Sequence, residues 1–168
     1  MKKIIKFLYS KIKKTIGIDN SSNEVKKLAV GKLLTKRNKL KKIEKIQDIE
    51  FKIFSQFGDD GIIQFLIDEL QIDYEYQNFI EFGVEDYSEA NTKFLLLNNN
   101  WSGLLLDSSN ENIENIKKSN FFWKFELEAI ECFVNKENIN SIITNSNICK
   151  KKIGILSIDI DGNDYWVW

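Results

Sequence analysis

The spacing of apolar residues changes near position 52 and predicts two regions. In residues 1–16, apolar positions recur at helical spacing and lysines fill most of the others; the apolar positions are Ile4, Ile5, Leu8, Ile12 and Ile16. The polar stretch 17–24 predicts a loop, and residues 24–48 resemble a second lysine-rich helix. We therefore expect a helical arm at 1–52, ahead of a domain at 53–168.

Short apolar runs and helical segments alternate from residue 53 onward. A polar turn at 55–61 leads into a largely buried helix that reaches Leu70. The elements predicted after it are a strand at 78–84, a helix at 89–98, a strand at 103–106, a helix at 110–119, a strand at 124–133, a helix at 136–146 and a strand at 153–160. This alternation is typical of βαβ units. It predicts an α/β, Rossmann-like domain with a parallel sheet and flanking helices.

Charge separates the same two regions. Residues 1–52 carry 16 Lys and Arg against 5 Asp and Glu, whereas residues 53–168 carry 8 against 20. A basic amphipathic helix at 1–16 predicts peripheral contact with anionic lipid. The alternative is a helix that packs on the domain or on a second subunit of a homo-oligomer. Nucleic acid is not an expected partner, because the arm has no interleaved aromatic residues and the domain is acidic.

Composition limits the available chemistry. The chain has no histidine, which excludes His-based triads, His-ligated zinc and histidine general bases. Any acid or base must therefore be a carboxylate, Lys, Tyr or Cys, and we expect no metal site. Cys132 and Cys149 do not form a CxxC pair, so we expect both to be free thiols in a reducing, cytoplasmic setting.

Acidic residues or glycine end three of the predicted strands. Glu81 and Gly83 end the first strand, Asp107 ends the second, and Asp159 and Asp161 end the fourth. Ligands of open parallel sheets bind beyond the carboxyl ends of the strands. A strand-end acid can accept hydrogen bonds from ribose hydroxyls, which predicts a nucleoside-containing cofactor. The alternative is that these acids cap the helices that follow.

Three motifs in this order resemble a known family. They are SQFGDDGII at 55–63, FIEFGVEDYSEANTKFLLLNNNWSGLLLDSS at 79–109 and LSIDIDGNDYWVW at 156–168. Together they resemble the FkbM-like class of S-adenosylmethionine-dependent methyltransferases over about residues 54–168. The resemblance implies a class I methyltransferase fold, S-adenosyl-L-methionine as cofactor and a sugar or other surface-glycan precursor as acceptor. The chain departs from the family at Glu85 and Tyr87, where members often carry glycine.

The resemblance also implies roles for individual cofactor-binding residues. Glu81 and Gly83 would form the first cofactor loop, with the acid near the methionine ammonium. Asn91 would orient that loop from the start of the next helix. Asp107 would bind the ribose hydroxyls, with Ser108 beside it near the adenosine.

Candidate catalytic residues follow from the same alignment of motifs. Asp159 and Asp161 would lie beside the methyl-transfer position and accept the proton of the acceptor, although capping of the next turn is an alternative role for them. Gln56 and Asp60 precede a helix and would line the acceptor side. Their alternative role is to cap that helix.

The predicted sheet has four strands, whereas a class I methyltransferase sheet normally has seven. We therefore expect the C-terminal part of the sheet to be missing, an apolar tail at 165–168 to be exposed, and the isolated chain to be weakly stable or to associate. Loss of these strands could abolish activity, so a non-catalytic remnant that binds cofactor or a partner is one alternative function. A metal-dependent nucleotide-sugar glycosyltransferase that uses Asp159 and Asp161 is the other.

Overall fold

The computed structural model describes residues 20–162 and 164–168. Its four strands are β1 (Asn78–Phe82), β2 (Ser102–Asp107), β3 (Leu127–Glu131) and β4 (Ile155–Ile158). They form one sheet in the order β3-β2-β1-β4, and every neighbouring pair is parallel. The predicted α/β class is confirmed, and the topology is compatible with a Rossmann-like fold.

Helical segments precede, connect and follow the strands. The α-helices are α1 (Asn20–Leu40), α2 (Asp59–Glu69), α3 (Asn110–Lys117), α4 (Ile139–Asn145) and α5 (Asp164–Val167). Short 3-10 helices lie at Ile46–Asp48, Tyr74–Tyr76 and Asn147–Lys150, and a π-helix lies at Leu95–Asn99. Among the described residues, no helix combines the length and apolar character needed to cross a bilayer.

The central strands are apolar because helices cover both faces of the sheet. Leu104 and Leu106 of β2 pack with α4 on one face, and Leu105 between them packs with α2 and α3 on the other. This alternation is the two-residue period of a strand. Strands buried on both faces need continuous apolar runs, which is why the sequence pattern located them.

Strand β4 forms an edge of the sheet. It pairs with β1, and no described strand pairs with its other side. Its residues are only partly buried, and the segment after it exposes Tyr165, Trp166 and Trp168, the last at 88%. The predicted apolar tail is therefore exposed in the structure, and association through it stays a prediction.

The second predicted lysine-rich helix differs in its limits. Residues 20–24, predicted as loop, begin α1, because polar residues of this type also start helices. The helix ends at Leu40 and not at residue 48. Near its end, the buried Asn38 amide donates to the carbonyl of Ile49 at 2.7 Å, which draws the returning chain against the helix. The helix predicted at 1–16 lies outside the described residues.

Helix α1 packs on the domain through apolar and ionic contacts. Leu28 and Leu34 contact a cluster that includes Phe54. Glu24 pairs with the buried ammonium of Lys93 at 3.2 Å, and the rings of Phe54, Tyr87 and Phe121 lie within 6 Å of that ammonium. Burial lowers the pKa of Lys93, and the nearby Glu24 carboxylate opposes that shift. This part of the arm therefore packs against the body of the protein, and the domain boundary at 52 stays a prediction.

The Glu24–Lys93 pair is expected to respond asymmetrically to substitution. Glu24→Gln should lower the free energy of unfolding by about 1–3 kcal/mol, because it leaves a buried ammonium without its counter-ion. Lys93→Met should cost less, because an apolar side chain then fills the site and Glu24 keeps its contact with water. Urea denaturation of both variants measures the difference. A larger loss for Lys93→Met than for Glu24→Gln would contradict this account.

Candidate functional site

A cavity of about 460 Å³ opens at the carboxyl ends of β1, β2 and β4. It lies beside the β1–β4 pair, where the strand order reverses and where ligands of open α/β sheets bind. Six carboxylates line it: Glu81, Glu85, Glu89, Asp107, Asp159 and Asp161. Among the described residues, no Lys or Arg lines it. We call this cavity the acidic cleft.

Glu81 holds the loop that follows β1. Its Oε1 accepts a hydrogen bond from the Asn91 backbone N–H at 2.8 Å, and its Oε2 accepts from the backbone N–H and the hydroxyl of Thr92. The Asn91 side-chain amide also donates to Ser157 Oγ on β4, at 3.2 Å. Asn91 therefore links the loop to β1 and β4, and its role at a cofactor stays a prediction.

Burial controls the protonation of Glu81 and of its neighbour Tyr87. Desolvation raises the pKa of the Glu81 carboxyl, the hydrogen bonds from Thr92 and Asn91 oppose that shift, and the charge of Asp159 adds to it. Burial also raises the pKa of the Tyr87 phenol well above its ordinary value. Because Tyr87 keeps its proton and the Thr92 hydroxyl donates to Glu81, Tyr87 donates to Thr92 Oγ1 at 2.9 Å.

The raised pKa of Glu81 predicts a pH-dependent contribution to stability. Since the folded state binds this proton more tightly than the unfolded state, the contribution is full below the ordinary value of 4.5 and is lost as pH rises through the raised folded pKa. The stability advantage of the wild type over Glu81→Gln is therefore expected to be larger at about pH 5 than at about pH 8. Urea denaturation at both pH values measures it. An advantage that grows with pH would show that the fold prefers the ionised form.

The backbone is left-handed at Gly83, Glu85 and Tyr87 in the loop after β1. Gly83 has φ +74°, and a Cβ built on it would lie 1.7 Å from the carbonyl oxygen of Asp159. The close approach is therefore between the ends of β1 and β4. Glu85 and Tyr87 also lie in the left-handed region, at φ 48° and 59°. The loop thus adopts the backbone conformation that favours glycine at both positions without having glycine there.

Asp107 joins this loop to the start of α3. Its Oδ2 accepts from the Glu85 backbone N–H at 2.8 Å, and its Oδ1 accepts from the Ser109 N–H and the Asn112 side-chain amide. A carboxylate has about four acceptor positions, so one of them remains for a ligand. Ser108 is exposed beside it and lines the acidic cleft.

The end of β4 brings the two predicted catalytic carboxylates to the same cleft. Asp159 and Asp161 are both exposed there, and Asp161 has φ 53°. Asp164 holds the turn, since its carboxylate accepts from the N–H groups of Ile160 and Gly162 at 2.9 and 3.1 Å. These backbone hydrogen bonds, that from Ile160 first, keep the pKa of Asp164 below its ordinary value.

Gln56 and Asp60, the predicted acceptor-side pair, lie in different environments. Gln56 is exposed and lines the acidic cleft. Asp60 is buried, does not line the cleft, and uses Oδ2 to accept from the backbone N–H groups of residues 53–55 and from the hydroxyl of Ser55. A side chain enclosed in this way cannot contact a ligand in the cleft. The structure therefore assigns Asp60 to the support of the loop before α2.

Sequence analysis missed the residues after β3. Cys132, Phe133 and Val134 line the cleft together with Asn112 of α3. The rule that ligands meet strand ends applies to β3 as well and would have located them, but the third strand was predicted to continue to residue 133, whereas β3 ends at Glu131. Phe133 is 67% exposed. Burial raises the pKa of the Cys132 thiol, which favours its protonated form.

The cleft carboxylates do not converge as metal ligands do. Within residues 20–162 and 164–168, no group of three or more Cys, Asp or Glu side chains is arranged to hold a metal ion. Comparisons with models of protein families, with curated proteins and with solved structures find no match for this chain. The methyltransferase resemblance therefore rests on the sequence motifs.

Proposed function

We propose that the protein is an S-adenosylmethionine-dependent methyltransferase that acts on a sugar or other surface-glycan precursor at the cytoplasmic side of a membrane. The observation that carries the proposal is the charge of the acidic cleft. A nucleoside-sized cavity at the reversal of strand order is lined by six carboxylates and, among the described residues, by no cationic side chain. One of the six, Glu89, pairs with Lys52 outside the lining at 2.9 Å. Its volume falls within the range of about 300–1,000 Å³ that is usual for such ligands.

The charge favours a cationic cofactor over a phosphate-bearing one. S-adenosylmethionine carries a sulfonium and an ammonium against one carboxylate, so the field of the cleft attracts it. The phosphates of a dinucleotide or a nucleotide sugar would be repelled by the same carboxylates unless cations accompanied them.

The residues of the cleft fit the parts of this cofactor. Asp107 has one acceptor position for a ribose hydroxyl, and rotation of the Asn112 amide would free a second. Phe133 presents an exposed ring on which an adenine can stack. Glu81 lies where it can attract the ammonium, and Oε1 accepts only one protein hydrogen bond.

Asp159 and Asp161 carry the proposed proton transfer. The bound cofactor supplies a methyl group that is already activated, so the protein must position an oxygen or nitrogen of the acceptor and take up its proton. The two exposed carboxylates stand at the rim of the cleft, and Asp164 orders the turn between them. Gln56 lies on the same cleft and would contact the acceptor.

Calorimetric titration with S-adenosylmethionine and S-adenosylhomocysteine tests whether the protein binds the proposed cofactor. We expect micromolar binding, which Asp107→Ala weakens at least tenfold and Asp73→Ala leaves unchanged. Asp73 is an exposed acid outside the cleft and serves as the matched control. Asp107→Asn, which preserves the shape of the side chain, guards against loss of the fold. A folded sample that binds neither ligand would overturn the proposal.

An assay of labelled methyl transfer to sugars and glycan precursors tests whether the protein catalyses the proposed reaction. Asp159→Asn and Asp161→Asn are expected to reduce turnover while cofactor affinity stays within about twofold, because the carboxylates act on the acceptor. Cofactor binding without transfer to any acceptor would favour the non-catalytic alternative. Metal-dependent binding of a nucleotide sugar would favour the glycosyltransferase.

A further inference from the structure

We propose that the outer face of α1 is a docking surface for an anionic lipid membrane. The inner face of this helix packs on the domain, where Gly31 approaches Phe94 and Ile53 so closely that a Cβ would lie 2.4 Å from the Phe94 ring. The opposite face is exposed to solvent. Because the inner face packs on the domain, the orientation of the exposed outer face relative to the domain is fixed.

The outer face carries a line of apolar residues that Lys36 interrupts. Val25, Ala29, Leu33 and Leu40 are all exposed, and Leu33 is 67% exposed. They stand at positions i, i+4, i+8 and i+15, which fall on one side of an α-helix over a length of about 22 Å. We call these four residues the outer stripe. A helix with apolar residues on two opposite faces has a second apolar surface to cover.

Basic residues flank the outer stripe on both sides. By helical position, Lys26 and Arg37 lie along one side and Lys32 and Lys39 along the other, all exposed. Lys39 also pairs with Asp68 of α2 at 3.0 Å, so its charge is already partly balanced. Lys36 lies on the line of the stripe, and its alkyl stem can follow that line while its ammonium reaches the head groups. The one acidic residue of α1, Glu24, is paired with Lys93 toward the domain.

This combination matches an anionic bilayer better than other partners. The boundary between head groups and acyl chains offers negative charge and an apolar interior within the length of a side chain. A nucleic-acid backbone would bind the lysines but would leave the stripe uncovered. The acidic surface of a second copy would likewise bind the lysines and leave the outer stripe uncovered. The proposal does not depend on methyl transfer, and a membrane-bound α1 would hold the acidic cleft at a constant distance from a lipid-linked precursor.

Co-sedimentation of the full chain with vesicles tests the proposal. We expect binding to phosphatidylcholine vesicles that contain about 30% phosphatidylglycerol, weak binding to phosphatidylcholine alone, and a loss of affinity between about 0.1 and 0.5 M NaCl. Replacing Val25, Leu33 and Leu40 together by serine is expected to weaken binding at least tenfold. Lys26→Gln and Lys32→Gln should each weaken it on the order of fivefold at low salt.

A matched control separates the stripe from general surface apolarity. Leu70 is 69% exposed at the end of α2, close to the 67% of Leu33, so Leu70→Ser is expected to leave vesicle binding unchanged while Leu33→Ser weakens it. Residues 1–19 are the same in all variants, so any difference in vesicle binding between variants is assigned to the substituted residue. Circular dichroism and thermal melting confirm that each variant is folded.

Three results would overturn the proposal. The first is equal vesicle binding by the wild type and the triple serine variant. The second is binding to duplex DNA or RNA without binding to anionic vesicles. The third is self-association that the triple variant abolishes, again without vesicle binding, which would assign the stripe to a second copy.

Discussion

Replacing Asp60 with alanine is expected to destabilise the protein more than any substitution that lines the acidic cleft. Asp60 Oδ2 accepts hydrogen bonds from Ile53 N–H, Phe54 N–H, Ser55 N–H and Ser55 Oγ at 2.7–2.9 Å. Each buried donor left without an acceptor costs about 1–3 kcal/mol, so we expect a loss of about 4 kcal/mol or more. Urea denaturation monitored by tryptophan fluorescence measures the loss.

Asp60→Asn provides the variant that remains folded. Its amide oxygen can occupy the place of Oδ2, and its NH2 group would then stand where Oδ1 is buried without a hydrogen-bond partner among the described residues. We expect a loss of about 1–2 kcal/mol from the unsatisfied amide and the weaker, uncharged acceptor. Asp59→Asn, an exchange at the less buried neighbouring acid, is the control and should be nearly neutral.

Asp60 also distinguishes the two roles that the sequence left open. If Asp60 supports the loop, both variants lose stability, and Asp60→Asn keeps its turnover per folded molecule. If it contacts the acceptor, Asp60→Asn melts like the wild type and turnover falls. An Asp60→Ala protein as stable as the wild type would show that the hydrogen bonds seen here do not hold the loop.

Gly83→Ala is expected to lower the free energy of unfolding by about 3 kcal/mol or more. The left-handed φ of +74° costs an alanine about 1–2 kcal/mol. The added Cβ would also meet the carbonyl oxygen of Asp159 at 1.7 Å, and forcing such atoms apart typically costs a further 1–3 kcal/mol. Because the ends of β1 and β4 would separate at the cleft, we also expect cofactor binding to weaken at least tenfold.

Gly162→Ala is the matched control for Gly83→Ala. Gly162 also has a left-handed φ, of +100°, but no atom of the described residues beyond its chain neighbours lies within 4 Å of its added Cβ. Its substitution therefore isolates the backbone strain, about 1–2 kcal/mol, from the collision between strands. Chemical denaturation of both variants gives the difference. Equal losses in the free energy of unfolding would mean that the contact between Gly83 and Asp159 adds nothing to the cost of backbone strain.

The apolar pattern was sufficient to locate the strands but not the ends of every helix. The inner strands of a parallel sheet are buried on both faces, so β1 and β2 appear in the sequence as apolar runs. The end of α1 depends on the hydrogen bond from Asn38 to Ile49, eleven residues away. No local periodicity carries that contact, and the predicted helix therefore continued to residue 48.

The candidate site was predictable where a strand end carries an acid or a glycine. Glu81, Gly83, Asp107, Asp159 and Asp161 all line the acidic cleft, because the carboxyl ends of parallel strands meet at one edge. At Gly83 the structure places the carbonyl oxygen of Asp159, just after β4, against the glycine, a contact that the sequence pattern does not show. Phe133 lines the cleft with an exposed ring, and the periodicity of apolar residues does not predict that exposure.

The sequence by itself determined the α/β class, the strand positions, the strand-end acids and the basic character of the arm, because each depends on local pattern or composition. Only the tertiary structure decided which carboxylates are already engaged, that Asp60 supports a loop, and that α1 packs one face on the domain and exposes the other. These properties depend on hydrogen bonds and packing between residues distant in the chain, such as Asp107 with Glu85 and Lys93 with Glu24. A one-dimensional pattern does not contain those distances.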